Sequence, residues 1–351
     1  MRLKKRIFQR GQTVVESILV EGKERGIGSI EALSSGFNLV ARQPWLILLP
    51  IALSLFLWLG PRLSPEPLAR QVVDLMLVNP VSQASEYAES FRTAADSLIQ
   101  SAQNTNLFAL LAFGVPTIAP IPKSQTVLEL STWPAALALT VLLLACGIYL
   151  MVAYLGLIAR QVRADGMPLS HVLGRSARHL WRFAVVGVMV MGATIVLSIP
   201  GMAVAGFLAL VSARSALAVM SLLTWGILLA GMWLFFYLFF VPDAIVLDNV
   251  NVRQAIGRSL AVVRRNPGAS LALILLTVML TIGLGIVWES ISKTTLGSVA
   301  AIIGNAYVGS ALAAASLIFY GSRWYALEKE FAATHVAAAA PGQNTSDPVD
   351  K

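Results

Sequence analysis

Six apolar blocks, near residues 44–60, 134–158, 182–200, 216–241, 268–288 and 297–321, constrain this chain more than any other feature. Each approaches the length a helix needs to cross the hydrocarbon core of a bilayer, about 17–25 residues. Pro44, Pro134 and Pro267 open three of them, where a first-turn residue has no amide bond to lose. Charged residues make up only 13% of the chain and apolar residues 57%, so a water-soluble surface cannot be assembled from the remainder. The fold class expected is therefore all-α: a polytopic membrane protein with six transmembrane helices.

The net charge of +8 raises the question of nucleic acid. The positions of the charges argue against it, because the basic residues flank apolar blocks, where membrane topology alone places them. Residues 1–43 carry eight Lys or Arg, 159–182 carry five and 242–267 carry four, against four spread over the long 61–133 connection. The asymmetry predicts a multi-pass protein of the inner or plasma membrane with both termini cytoplasmic. The start MRLKKRIFQRG is followed by a stretch too polar for a signal h-region, so no cleavable leader is expected. The domains then read as a basic cytoplasmic segment (1–28), a membrane domain (29–60 with 134–328), an extracytoplasmic helical insertion (61–133) and a disordered cytoplasmic tail (329–351).

An internal repeat adds to this plan. Shifted by 83 residues, Tyr154–Arg182 aligns without a gap on Tyr237–Arg265, with seven identities where chance gives about two or three. They include Asp165/Asp248 and Gly174-Arg175-Ser176/Gly257-Arg258-Ser259. A fainter third copy matches Ala32, Val40, Arg42 and Pro44 to Ala255, Val263, Arg265 and Pro267. Each unit reads as an amphipathic helix followed by two spans. On the third such helix Val252, Ile256, Leu260 and Val263 oppose Arg253, Arg258, Arg264 and Arg265; on the second, Leu169, Leu173, Ala177 and Leu180 oppose His171, Arg175, Arg178 and Arg182; on the first, Leu33, Phe37 and Val40 oppose Glu31, Ser35 and Arg42. Such helices are expected to lie flat in the inner interface.

Two readings of these arginines stay open. Arginine at a cytoplasmic span end serves insertion and snorkelling whether or not it binds anything. Alternatively Arg42, Arg175, Arg182, Arg258 and Arg265 recognise anionic headgroups; the seven-residue spacing of Arg175 with Arg182 and of Arg258 with Arg265 stacks two guanidinium groups on one helix side.

The run FFYLFFVPDAIVLDNVNVRQAIGRSLAVVRRNPGASLALILL, residues 235–276, resembles bacterial six-span proteins grouped with the membrane domain of glycerophosphoryl diester phosphodiesterases. It shares their aromatic span end, proline, acidic position, amphipathic A-x-x-x-S helix and reopening proline, and the likeness extends over about residues 29–328. The resemblance implies the six-span architecture. In that family a separate barrel carries the phosphodiester chemistry, and no barrel stands in this sequence, so the activity is not implied.

Signals for chemistry are sparse. His171 and His179 have no carboxylate or cysteine at ligand spacing, and neither G-x-S-x-G nor H-E-x-x-H occurs. Asp243 and Asp248 read as helix caps or as partners of Arg253. No catalytic residue, cofactor or metal is expected. Asn305 is the deepest strongly polar group, suited to an interhelical hydrogen bond beside Gly304 and Gly309 more than to a substrate. In the insertion, helices are expected near 66–78 and 82–104, followed by a Pro-broken apolar stretch that dips into or lies on the outer leaflet. The function expected is non-enzymatic: engagement of anionic lipid or of a membrane or envelope protein, in lipid transport or envelope homeostasis. A small-molecule permease is the alternative.

Overall fold

In a lipid environment every backbone amide must be satisfied within its own segment, so long apolar stretches have little choice but to be helices. The computed structural model describes residues 27–78, 88–120, 126–163, 168–209 and 212–339. Its elements run α1 (Ser29–Arg42), a 3-10 turn (Pro44–Ile47), α2 (Leu48–Leu59), β1 (Arg62–Ser64), α3 (Glu66–Val78), α4 (Ala88–Asn104), a 3-10 segment (Leu107–Ala112), β2 (Val127–Glu129), α5 (Trp133–Arg163), α6 (Leu169–Ala209), α7 (Ala213–Leu238), α8 (Val241–Asp248), α9 (Val252–Arg265), α10 (Pro267–Ile291) and α11 (Thr295–Ala339). Among the described residues five helices are long and apolar enough to cross a membrane: α5, α6, α7 running on into α8, α10 and α11. This is an all-α membrane protein.

The first apolar block departs from the expected straight span. Its Pro44–Leu59 part meets α1 at 94°, so the two count as one crossing only when taken together as a bent pair. The corner is Gln43, at φ −125° and ψ 64°, between the last turn of α1 and Pro44. Asn266 makes the same corner between α9 and Pro267, at φ −134° and ψ 56°. In both cases the residue before a proline is pushed out of the helical region. α1 and α9 also share a length of 14 residues and nearly the same N-cap backbone, φ −70° with ψ 162° at Gly28 and 160° at Asn251.

The second amphipathic segment differs. After Arg182 come Phe183 and Ala184 rather than a proline, and α6 continues unbroken from Leu169 to Ala209. Its 41 residues reach about 60 Å at 1.5 Å per residue, longer than a bilayer core. Pro200 lies inside the helix without ending it. The third span therefore keeps the stretch after Met202 as its own last turns.

α1 packs along another helix. Arg323 of α11 donates to Ile27 O (2.9 Å from Nη2), a Cβ on Gly36 would stand 2.3 Å from Ala311 O, and the Phe37 and Tyr307 rings are 5.8 Å apart. These contacts walk antiparallel along α11 from residue 323 to 307, about 24 Å of helix. Such close approach is open only to small residues, and Gly36 and Ala311 supply them. Amphipathicity stated that one face of α1 is polar; it did not state that the other face has a helix to bury against.

The insertion holds α3 at the expected 66–78, and α4 begins the described part of the second helix, residues 82–87 lying outside the described residues. A two-stranded parallel pair, Arg62–Ser64 with Val127–Glu129, closes its base and was not expected. The stretch after α4 packs against the spans. Ile118 N–H donates to Ser54 Oγ of α2 (3.3 Å), Val115 is buried, and Gly147 of α5 and Gly309 of α11 admit Leu110 O and Pro116 where a Cβ would clash. The short α2 leaves room beside it, and this segment fills that room.

Candidate functional site

The polar residues of α1 are spaced so that they share one side. At 100° per residue Glu31, Ser34, Ser35, Asn38 and Arg42 fall within about 100° of arc. The opposite side, with Ala32, Leu39 and Val40 buried, is the one pressed into the bundle. Ser29 Oγ donates to Ala269 O across 2.7 Å, which starts α1 beside the first turn of α10. The two helices then run alongside each other with an open groove of about 880 Å³ between them. One wall is the polar stripe from Glu31 to Asn38; the other is Ala272, Leu275, Leu276 and Met279. A groove with one hydrogen-bonding wall and one hydrocarbon wall, open along its side, is complementary to an amphiphile. Arg42 lies on the stripe one turn past Asn38, exposed at the end of α1.

A second polar assembly closes the arginine-rich end of the bundle. Pro242 stands in the first turn of α8, and Asn249, in the left-handed region at φ 55°, ends it. Asp248, the last residue of α8, accepts hydrogen bonds from Arg258 Nη1, from Tyr320 OH at 2.7 Å and from Tyr325 OH at 3.5 Å. Arg258 also lies over the Trp324 ring, 4.5 Å from its centroid. Burial works against the Arg258 cation, but the hydrogen bond and charge of Asp248 prevail and hold the guanidinium above its ordinary pKa. Asp243, fully buried, accepts from Ser316 Oγ. Neither carboxylate pairs with Arg253, one of the two roles read from sequence; for the other, Asp243 stands in the first turn of α8.

The remaining sequence candidates are placed apart. Arg182 donates to Asn249 Oδ1 (2.8 Å) and lies 3.1 Å from His179 Nδ1. Arg175 is half-buried against α5. Arg265 approaches Glu330 at 4.0 Å and the Phe331 ring at 5.8 Å, both on exposed surface. So Arg258 and Arg182 turn to protein partners. Asn305 is half-buried in α11 and has no hydrogen bond among the described residues; beside it the Trp288 ring covers Gly304. Sequence reasoning missed Tyr320, Tyr325 and Arg163, which donates to Leu247 O. Two tyrosines in the last span, more than 70 residues from the Asp they bond, offer no local spacing that could have found them. The stripe on α1 was visible, but its groove was not. Among the described residues no three His, Cys, Asp or Glu side chains are grouped to hold a metal.

No curated protein matches the chain, and no solved structure does. Residues 87–325, from α4 to α11, match a family described as a domain of unknown function, DUF7847. The match takes in α10 and α11, while α1 and α2 precede it. Covering more than half of the sequence, it establishes that the chain belongs to the DUF7847 family.

Proposed function

We propose that this protein is a non-enzymatic, multi-pass module of the cell membrane that holds a membrane lipid in the groove between α1 and α10. Hydropathy brings α10 and α11 into the membrane, and the small-residue contact at Gly36 brings α1 up against them. The polar stripe of α1 is thereby carried to the depth of lipid chains, a costly arrangement unless headgroup or backbone-linking oxygens meet it. The observation that carries the reading is the groove's two unlike walls, Glu31 to Asn38 against Ala272 to Met279.

On this reading the bent α1–α2 pair is the first of six crossings and both termini are cytoplasmic. Three repeats of an amphipathic helix and two spans built the chain; the matching corners at Gln43 and Asn266 support that origin for the first and third. The kinship with membrane domains of glycerophosphoryl diester phosphodiesterases is part of the same proposal. Lipid transport or envelope homeostasis is the setting that suits such a module. A permease for small polar solutes calls for a polar cavity at Asn305, and Asn305 lines neither of the two cavities around α1 and α6.

Native mass spectrometry of the full chain in mild detergent tests the proposal. Discrete adducts of lipid mass are expected on the wild type, with their occupancy reduced at least fivefold in Ser35→Leu/Asn38→Leu, which fills the polar wall. A wild type without adducts, or a variant that keeps them all, overturns it.

A further inference from the structure

A second, smaller pocket lies between α5 and α6. It is lined by Arg160 and Arg163 from α5 and by His171, Arg175, Ser176 and His179 from α6. The spacing is the reason they converge: residues three or four apart share a helix side, as Arg160 with Arg163 and His171 with Arg175 and His179. Like charges so arranged repel, and α6 carries no acidic residue to relieve them. The comparison with α9 extends to the described residues alone, Asp165, the counterpart of Asp248, lying outside them. In α9 Arg258, the repeat counterpart of Arg175, faces Asp248, whereas no ion pair engages Arg160 or Arg175 among the described residues.

His179 supplies an independent pointer. It is 2% exposed, and its Nδ1 lies 3.1 Å from Arg182 Nη1. Arginine has no acceptor, so Nδ1 accepts and the neutral ring carries its proton on Nε2. That Nε2–H is buried without a partner. A buried donor left unmatched is costly, and natural folds seldom tolerate one that nothing fills. Ser176 Oγ donates to Val172 O at 2.8 Å and does not accept from Nε2–H. Among the described residues the pocket thus presents donors and positive charge and no acidic side chain.

We propose that this pocket binds the phosphate group of an anion, with Arg160 and Arg175 as its charged clamps and His179 Nε2–H as the inner donor. The enclosed space of about 20 Å³ admits one water-sized group, suited to a single phosphate oxygen, with the rest of the anion at the mouth beside His171. Tetrahedral oxygens satisfy two guanidinium forks and an imidazole together, which a halide cannot. A lipid phosphomonoester and a free phosphate offer the same chemistry. None of these residues lines the α1–α10 groove, so this site stands or falls separately from the lipid reading of that groove.

The test uses the full chain in neutral maltoside detergent, titrated with inorganic phosphate against chloride at matched ionic strength. In parallel the protein is placed in phosphatidylcholine nanodiscs with and without phosphatidic acid, and its thermal midpoint is followed. Binding of at least one probe is expected, about tenfold weaker or more in R160Q/R175Q and unchanged in R178Q, whose arginine is exposed on the same helix outside the pocket. Response to free phosphate identifies a soluble source, and response to phosphatidic acid alone a headgroup. If the double variant does not fold, R175Q alone is expected to weaken binding severalfold. Absence of both responses in the wild type, or an equal loss in R178Q, overturns the proposal.

Discussion

α11 and the α6–α7 hairpin are both long, apolar and membrane-spanning, yet they are buried to opposite extents. More than half of the residues in the membrane-length stretch of α11 are buried, and none in that of α6 or α7 is. α11 is also the least apolar of the five. Its buried positions are small, with Ala301, Ala306, Ala311, Ala314 and Ala315 fully covered, whereas the hairpin presents Leu222, Val196 and Trp225 outward. The difference follows from the solvent. Lipid chains are as apolar as leucine, so apolarity places a helix in the membrane without drawing it to its neighbours. Close packing is left to small residues that let backbones approach. In this chain hydropathy says what is in the bilayer, and the small-residue pattern says which helix the others are built around.

The largest test of that contrast uses one substitution in two places. Gly36→Leu drives a side chain into the α11 backbone and is expected to cost on the order of 3 kcal/mol, enough to deplete folded protein. Gly226→Leu on α7 meets open space and should stay within about 0.5 kcal/mol, read by thermal unfolding in detergent. Equal losses at the two glycines would erase the distinction.

Next in size is the end cluster. Asp248→Asn removes the partner of Arg258 and a hydrogen-bond acceptor of Tyr320, a change expected to cost about 3 kcal/mol. Arg178→Gln on the exposed side of α6 should leave the unfolding midpoint where it is. A smaller step separates two hydroxyls. Tyr154→Phe loses the 2.7 Å bond from its OH to Ser310 Oγ, worth about 1 kcal/mol, while Thr194→Val on α6 loses only a bond to its own helix carbonyl at Val190 and should be nearly silent.

The smallest effect is a pH response confined to the insertion. Glu66 of α3 accepts from Gln103 Nε2 and from Arg70, and these bonds hold its carboxyl below the ordinary carboxylate range. A lowered folded pKa stabilises above the unfolded value and loses that stabilisation as pH falls through the folded one. Hydrogen exchange in α3 should therefore speed up in acid, and Glu66→Gln should abolish the acid dependence. The α6–α7 hairpin has no acidic residue and should show none of it.

How much of this was legible beforehand divides along the same line. Membrane class, the proline-led starts at Pro44, Pro134 and Pro267 and the helix over 66–78 follow from local pattern, and local pattern was enough. The packing of α1, the unbroken α6 and the Asp248 cluster needed more. A polar stripe is the same stripe whether water or a groove faces it. Pro200 looks like a break because its ring costs a hydrogen bond, but membrane helices carry such residues. Tyr320 and Asp248 are 72 residues apart, a separation across which spacing carries no signal. The three-residue strands are too short to show alternation.

The central claim is that α1 stands along α11 and α10 and so carries its polar stripe into the bundle. Phe37→Cys with Tyr307→Cys, on a Cys146→Ala background in native membranes, tests it with a short thiol-to-thiol crosslinker. The account predicts efficient bridging, since the two native rings are 5.8 Å apart. Labelling of each cysteine without a bridge, as a helix lying at the membrane surface would give, contradicts it.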